Sequence, residues 1–292
     1  MGTLNPTIPA NLAEAARHQG REDWLATLPA TLRELEDRWS ILIAEPYQPG
    51  GQTAWVAPVT SADGEELVLK VAWHHPEARH ESDGLRVWDG QGAVRLHRAA
   101  DVDADTAALL VERCHPGTTL SDRPELEQDV VIARILTRLW RPPPEPVSFR
   151  PLSVMCDEWA DEFETKAADG RSAVDPGLAR EGMAALRSLP RSAERQALLC
   201  TDLHAGNVLA AARQPWLMID PKPYVGDPTY DVLQHMLNCE ERLGVDPGHF
   251  AARMAELAGL NARRLRLWLF ARCVQDSPDQ PELAAVAARV AP

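Results

Sequence analysis

The sequence lacks the patterns that mark zinc sites, disulfide frameworks and redox motifs. Its five cysteines are widely scattered, and no two of them stand at C-x-x-C spacing. We therefore expect free thiols in a reducing compartment. No uncharged segment is long enough to span a bilayer, and no basic start is followed by an apolar run. These absences predict a cytoplasmic protein without a membrane partner.

A concentration of positive charge is also missing. The formal net charge is −13 at pH 7, the pI is near 5.2, and no basic patch stands out. Such a chain repels a phosphate backbone, so we expect no nucleic-acid partner. The acidic excess suits a cationic ligand, although it is also a common property of soluble proteins. The sequence is compatible with a monomer or a homodimer.

The periodicity of apolar residues changes along the chain. Residues 10–40 show helical spacing, whereas residues 41–112 form short apolar runs broken by turns, among them an Asp-Gly hairpin signal at Asp63-Gly64. This pattern predicts a five-stranded antiparallel sheet, with its last two strands over residues 93–97 and 107–112, and one helix. After Gly117 helical spacing dominates, and it predicts helices over residues 126–140, 154–168, 178–189, 231–243, 251–257 and 261–274. We therefore predict an α+β fold with an N-terminal lobe over residues 1–113, which includes leading helices, and a mainly helical C-terminal lobe over residues 114–292.

Three polar residues in the second half match the needs of phosphoryl transfer. Asp202 and Asn207 lie in a loop after an apolar run, and Asp220 ends the next short strand. Transfer from ATP requires a carboxylate near the attacking hydroxyl and hard oxygen ligands for Mg²⁺. Each residue alone is common in turns and caps. The combination Asp-x-x-x-x-Asn followed by a later aspartate is far more restrictive.

One lysine in the first half interrupts an apolar strand. Lys70 lies in LVLKVAW, where a buried charge without a partner would be costly. We expect it to reach a fixed anion such as an ATP phosphate, and the alternative is an edge-strand lysine that extends to water. Glu81 in the following predicted helix is the expected ion-pair partner, and Glu77 is the rival.

A glycine turn precedes both of these residues. Its backbone amides at Gly50, Gly51, Gln52 and Thr53 could cover phosphates, although Gly-Gly between strands is usually only a hairpin. The order of glycine turn, strand lysine, helix glutamate, Asp-x-x-x-x-Asn and aspartate is that of kinases. The P-loop pattern G-x-x-x-x-G-K-[ST] is absent, so a P-loop enzyme is not expected.

At these positions the sequence resembles the aminoglycoside phosphotransferase-like kinases, specifically the group of streptomycin 6-kinases and hydroxyurea phosphotransferases. Five stretches carry the resemblance, in the order PGGQTAWVAPV, LVLKVAW, HESDGLRVWDGQGAVRL, TDLHAGNVL and MIDPKPYVGDPTYD. It extends over nearly the full length. The resemblance implies a bilobal protein-kinase-like fold with ATP in the cleft between the lobes.

The resemblance also implies roles in the C-terminal lobe. Asp202 would be the base that orients and deprotonates the acceptor hydroxyl, while Asn207 and Asp220 would hold Mg²⁺. Asp231 resembles the family aspartate that supports the catalytic loop. The family usually has His-Gly before the catalytic aspartate, and this chain has Cys200-Thr201. That departure puts the rigidity of the loop in doubt without removing the base.

In the N-terminal lobe the resemblance implies a nucleotide site. Lys70, fixed by Glu81, would hold the α- and β-phosphates. The segment from Glu112 to Cys114 would offer backbone groups to the adenine edge.

The acceptor is indicated by one acidic segment. A predicted helix over residues 154–168 carries Asp157 and Asp161 on one face and Glu158 and Glu162 on another. A cationic antibiotic would compensate this charge, and a solvated helix face is the alternative. We therefore predict an ATP- and Mg²⁺-dependent kinase that inactivates a small cationic antibiotic, an aminoglycoside such as streptomycin. A cationic peptide antibiotic, a macrolide, a choline-like or sugar-amine acceptor, or a weakly active pseudokinase, remain open.

Overall fold

The computed structural model describes residues 6–143, 145 and 149–292, and the side chain of Glu77 lies outside the described part. The chain divides into two compact units. The first contains residues up to Gly90 together with Val94–His115, and the second contains Gln91–Ala93 and Pro116–Pro292. Within the described residues, no helix has both the length and the apolar character needed to cross a membrane.

The first unit is built on the predicted five-stranded antiparallel sheet. Its strands follow the spatial order β1-β2-β3-β5-β4. They are β1 (Ile41–Ile43), β2 (Ala54–Ser61), β3 (Glu66–Trp73), β4 (Leu96–Asp101) and β5 (Thr106–Glu112). The helices of this unit are α1 (Ala10–His18), α2 (Glu22–Trp39) and α3 (Glu81–Trp88).

Alternate side chains of β3 show which face of the sheet packs against the helices of this unit. Leu67, Leu69, Val71 and Trp73 are buried on one face, in a single apolar cluster with residues of α1 and α2. The indole of Trp24 in α2 packs edge-on against Trp73, with ring centroids 5.1 Å apart. Because successive side chains point to opposite faces of a strand, Lys70 lies on the other face.

The predicted strand over residues 93–97 was placed too early. The observed β4 begins at Leu96, and its pairing with β5 shifts register between Leu96 and Arg98. Ala93 instead forms a parallel bridge to Met218 in the second unit, to which residues 91–93 belong. A short apolar run does not reveal which strand it will pair with. The strand exists, but its predicted start at residue 93 was wrong.

The second unit is mainly helical. Its helices are α4 (Glu125–Leu139), α5 (Leu152–Ala168), α6 (Pro176–Ser188), α7 (Leu233–Leu237), α8 (Glu240–Val245), α9 (Pro247–Ala258), α10 (Ala262–Asp276) and α11 (Leu283–Val290). Its short strands are β6 (Arg150–Pro151), β7 (Ala197–Leu199), β8 (Val208–Ala210), β9 (Trp216–Met218) and β10 (Tyr224–Gly226). They form a sheet of order β6-β10-β7 and a separate β8-β9 hairpin.

A buried carboxylate joins four of these helices. Asp129 of α4 is fully buried. Its oxygens accept hydrogen bonds from His235 in α7 at 2.9 Å, Arg242 in α8 at 3.0 and 2.6 Å, and Arg253 in α9 at 2.6 Å. Burial alone would raise the pKa of Asp129, but these hydrogen bonds hold it well below its usual range.

Two helix predictions in this unit need correction. The single helix predicted over residues 231–243 is interrupted between α7 and α8. There the Asn238 amide donates to the carbonyl of Gln234 at 2.8 Å, a local bond that competes with continued helix. The helix α11 was not predicted, although Leu283, Val286, Ala287 and Val290 are all buried at helical spacing.

Candidate active site

The strand lysine and the helix glutamate of the first unit form a close ion pair. The ammonium of Lys70 lies 2.8 and 2.7 Å from the two carboxylate oxygens of Glu81. Their side chains are only 14% and 7% exposed. β3 holds Lys70 between Val56 and Leu109, and Glu81 opens α3. The structure thus brings together the pair expected from the sequence. The side chain of the rival, Glu77, lies outside the described part.

The glycine turn before β2 is anchored on its carbonyl side. The Asn11 side chain donates to the carbonyl of Gly50 at 3.0 Å, and the Asn11 backbone donates to Pro49 at 3.2 Å. Gly50 has φ +82°, and a Cβ there would lie 2.4 Å from that of Pro9. In the described structure, the N–H groups from Gly50 to Thr53 donate no hydrogen bond to other backbone groups. Phosphate binding by these amides stays a prediction.

The predicted adenine segment follows directly from β5. The Glu112 N–H donates to the carbonyl of Arg95 at 2.9 Å, and the Glu112 carboxylate accepts from the Arg95 N–H at 3.0 Å. Cys114 is buried just before the first unit ends at His115. This segment is therefore well fixed, and its contact with adenine stays a prediction.

A hairpin in the second unit brings the three predicted catalytic-loop residues together. β8 and β9 pair antiparallel, so Asn207 just before β8 lies beside the residues just after β9. The N–H of Ile219 donates to the Asn207 carbonyl at 2.9 Å, and Asp220 follows directly. The Asn207 amide donates to the backbone carbonyl of Asp202 at 3.0 Å. The sequence spacing therefore becomes spatial proximity through this hairpin.

Asp231 fixes the loop that leads into Asp202, the predicted catalytic residue. This carboxylate is fully buried and accepts hydrogen bonds from the Trp140 indole at 3.0 Å and from the N–H groups of Cys200 and Thr201 at 3.1 and 2.7 Å. Burial raises the pKa of Asp231 to about 6, against the effect of those donors. Burial also raises the pKa of the Cys200 thiol, so that residue is no nucleophile at neutral pH.

The predicted base, Asp202, has a cationic neighbour that sequence reasoning missed. The ammonium of Lys222 lies 3.1 Å from a carboxylate oxygen of Asp202, whose side chain is 16% exposed. Burial raises the pKa of Asp202, while the charge of Lys222 and its hydrogen bond oppose that rise. In the sequence, Lys222 was marked only by its position two residues after Asp220, within the stretch MIDPKPYVGDPTYD.

The acidic helix α5 has cationic partners within the chain. Asp157 pairs with Arg191 at 2.5 Å, Glu158 with Arg150 at 2.9 Å, Asp161 with Arg187 at 2.7 Å and Glu162 with Lys166 at 2.7 Å. The sequence argument needed a ligand to compensate these like charges. The chain supplies that compensation, so the charge argument no longer supports the predicted substrate contacts, which stay untested predictions.

Comparison with known proteins identifies the family of this chain. The model of the aminoglycoside/hydroxyurea antibiotic resistance kinases matches residues 38–279. The chain belongs to this kinase family. A hydroxyurea phosphotransferase of Kitasatospora aureofaciens is 34% identical over 278 residues, covering 92% of this chain and 78% of that protein. A streptomycin 6-kinase of Streptomyces glaucescens is 32% identical over 277 residues, covering 92% and 88%.

Solved structures agree on the fold of this kinase. Apo APH(4)-Ia, an aminoglycoside phosphotransferase crystallised as a thermostable mutant, superposes with a TM-score of 0.54 at 18% identity, covering 88% of this chain and 96% of that one. Choline kinase LicA from Streptococcus pneumoniae gives 0.58 at 11% identity, covering 91% and 97%. The predicted protein-kinase-like fold and the predicted phosphotransferase class are thus confirmed.

Proposed function

We propose that this kinase transfers the γ-phosphoryl group of ATP to a hydroxyl of streptomycin and so inactivates it. The observation that carries the proposal is the loop in which Asp202, Asn207 and Asp220 are assembled by one hairpin and braced by Asp231. The family includes streptomycin 6-kinases. An aminoglycoside phosphotransferase of the same fold binds ADP and hygromycin B together, which supports ATP as the donor.

The residues present fit a magnesium ion. Asn207 offers a carboxamide oxygen, because its amide nitrogen is engaged by the Asp202 carbonyl, and Asp220 offers a carboxylate. Mg²⁺ prefers such oxygen ligands and completes its shell with waters and substrate phosphates. Within the described residues no group of three His, Cys, Asp or Glu side chains could hold a metal. A two-residue site completed by ATP is the arrangement expected of kinases.

The chain's own residues then perform three tasks. Asp202 accepts a hydrogen bond from the acceptor hydroxyl, aligns it for in-line attack and takes its proton as the oxygen–phosphorus bond forms. Lys70, fixed by Glu81, holds the α- and β-phosphates. Magnesium at Asn207 and Asp220 would neutralise charge on the phosphates. Positioning and charge neutralisation supply most of the acceleration, since little covalent work is needed.

Hydroxyurea is a second candidate acceptor, and one structural observation favours it. The carboxylates of α5 are already paired with arginines and a lysine of the chain, so they do not require a cationic substrate. A relative named hydroxyurea phosphotransferase is 34% identical. Hydroxyurea carries one hydroxyl and no formal charge, so the two candidates differ sharply in what they need from the site.

The test is ADP release and acceptor phosphorylation by purified protein with ATP, Mg²⁺ and either streptomycin or hydroxyurea. We expect mass spectrometry to show one phosphoryl group added to streptomycin for each ADP released, and no phosphorylated product from hydroxyurea. The reverse outcome would replace the first candidate by the second. ADP release that neither compound stimulates would remove both acceptors.

A variant assigns the base within the same assay. Asp202→Asn should reduce kcat by roughly 10³-fold or more while ATP affinity stays within about threefold, because the lost carboxylate acts on the acceptor. Asp169→Asn, at an exposed carboxylate after the end of α5, is the matched control and should retain full activity. Wild-type turnover in Asp202→Asn would exclude Asp202 as the base.

A further inference from the structure

The chain uses lysine very sparingly. Only three of its 30 Lys and Arg residues are lysines, namely Lys70, Lys166 and Lys222. Lys166 lies on α5, where it pairs with Glu162 and Asp279. The other two each contact a carboxylate of the proposed site. Lysine differs from arginine in being a compact point charge on a flexible stem, which suits contact with a phosphoryl group.

Lys222 is fixed to the catalytic loop at three points. Its backbone N–H donates to the Cys200 carbonyl at 2.9 Å. Its carbonyl accepts from the Thr201 hydroxyl at 2.6 Å. Its ammonium contacts the Asp202 carboxylate at 3.1 Å. The loop that follows Asp220 therefore contacts Cys200, Thr201 and Asp202 in turn.

The Thr201 contact coincides with an unusual backbone conformation. Thr201 has φ +47°, a value that is rare for a β-branched residue. A glycine would adopt it without steric cost. Thr201 is nearly buried, and its hydroxyl finds its acceptor on Lys222. The chain thus carries a strained residue whose side chain makes one specific contact, and that contact holds the lysine loop.

We propose that Lys222 is a catalytic residue whose ammonium contacts the transferring phosphoryl group, and that Thr201 is a positioning residue that acts through Lys222. This inference rests on the proposed function. The acceptor hydroxyl must lie within hydrogen-bond reach of Asp202, and its oxygen must approach phosphorus to about 3–3.5 Å. A cation in contact with Asp202 is then adjacent to the phosphoryl oxygens.

The step balances without a further reagent. The acceptor oxygen forms the new bond to the γ-phosphorus, and the bond from that phosphorus to the bridging oxygen breaks with its electron pair leaving on ADP. The hydroxyl proton passes to Asp202. Lys222 exchanges no proton, and its positive charge offsets the repulsion between the Asp202 carboxylate and the negatively charged phosphoryl oxygens.

The first test is steady-state kinetics of Lys222→Met and Lys222→Arg in the full chain, with ADP release as the readout. Removing one preorganised donor in an active site reduces kcat by about 10²–10³-fold. We expect that loss for Lys222→Met, with KM values changed less than about threefold. Lys222→Arg, which keeps the charge, should recover at least about tenfold. Lys166→Met removes the third lysine and should leave turnover unchanged. Raised KM values with intact kcat would overturn the proposal.

Thr201 is tested by its hydroxyl. Thr201→Val keeps the branched shape and loses the donor, and Thr201→Ser keeps the donor. We expect Thr201→Val to lower kcat by roughly tenfold, in keeping with one lost hydrogen bond, and Thr201→Ser to stay near wild type. In the Lys222→Met background the Thr201→Val change should have no further effect on kcat. Additive losses would show that Thr201 does not act through Lys222.

A binding measurement separates this inference from the proposed function. Mg²⁺, ADP and aluminium fluoride together mimic a phosphoryl group in transfer, and calorimetry gives their affinity without any acceptor. Lys222→Met should weaken this complex at least tenfold and leave ADP alone unchanged. If neither streptomycin nor hydroxyurea is phosphorylated but Lys222→Met still weakens the fluoride complex, the proposed acceptor is wrong and the role of Lys222 stands. Unchanged affinity for the fluoride complex overturns the role of Lys222, whatever the acceptor.

Discussion

Replacing the buried Asp129 by asparagine should destabilise the second unit strongly. The carboxylate is fully buried and accepts from His235, Arg242 and Arg253. Removing one partner of a buried ionic network typically costs about 3–5 kcal/mol, because the remaining charges lose their compensation. The arginine side chains are 20% and 29% exposed, so water can partly solvate them. We therefore expect the lower end, about 3 kcal/mol.

The assay is urea unfolding followed by tryptophan fluorescence, with the slope m compared between variants. Glu127→Gln is the matched control, because Glu127 forms an exposed pair with Arg123, with both side chains 53% exposed. Its cost should be below about 0.5 kcal/mol. A loss of less than about 1 kcal/mol in Asp129→Asn at unchanged m would refute the reasoning.

The same network predicts an acid sensitivity with a definite sign. The pKa of Asp129 is held below its unfolded value by its cationic partners, although burial opposes this. Its contribution to stability is therefore complete above about pH 4, the unfolded pKa, and is lost as the pH falls toward the folded pKa. The difference in unfolding free energy between wild type and Asp129→Asn should shrink in acid. A difference that stays constant between pH 7 and pH 3 would contradict this.

Three further perturbations follow from the structure. Glu81→Gln removes the charge that fixes Lys70, so kcat/KM for ATP should fall by roughly a hundredfold in steady-state assays. Gly226→Ala would place a Cβ 2.4 Å from that of Leu152 and should cost about 2 kcal/mol in thermal unfolding. Asp231→Asn should gain stability relative to wild type as the pH rises from about 4 to 6. Burial raises the pKa of Asp231 in the folded protein to about 6. The wild type therefore loses stability as the pH rises from the pKa of the unfolded chain to that of the folded protein, and the asparagine variant does not.

Each of these has a control or a contrary outcome. Glu240→Gln changes an exposed glutamate of α8 and should leave ATP kinetics unaltered. Gly244→Ala meets no atom within 4 Å and should not destabilise. For Asp231→Asn, a stability difference that does not change with pH would mean that the carboxyl group does not titrate in this interval.

Local patterns were enough to predict much of the first unit. The Asp63-Gly64 turn, the strand alternation around Lys70 and the helix carrying Glu81 all depend on residues close together in sequence. The residue periods of strands and helices are fixed by backbone geometry, so the ion pair between Lys70 and Glu81 could be expected. The start of β4 could not, because strand pairing is decided by partners far along the chain.

The missing parts of the site depend on contacts between distant segments. Lys222 meets Asp202 only because β8 and β9 pair and return the chain to the loop. The cations that neutralise α5 come from elsewhere, for example Arg187 on α6 and Arg150 in β6. A pattern of like charges on one helix reveals nothing about such partners. The sequence therefore left two interpretations of the acidic helix open, a ligand site and a solvated face, and it did not reveal the cations of the chain that pair with it.

The burial of every cysteine makes this kinase a convenient background for thiol chemistry. All five thiols are buried, and burial raises the pKa of Cys156, Cys239 and Cys273 to about 12. The thiolate is the form that attacks alkylating reagents, so these side chains should react slowly. A cysteine introduced on the surface of each unit would then accept a fluorophore selectively. The emission of each dye would then report the unfolding of its own unit, without prior removal of the native cysteines.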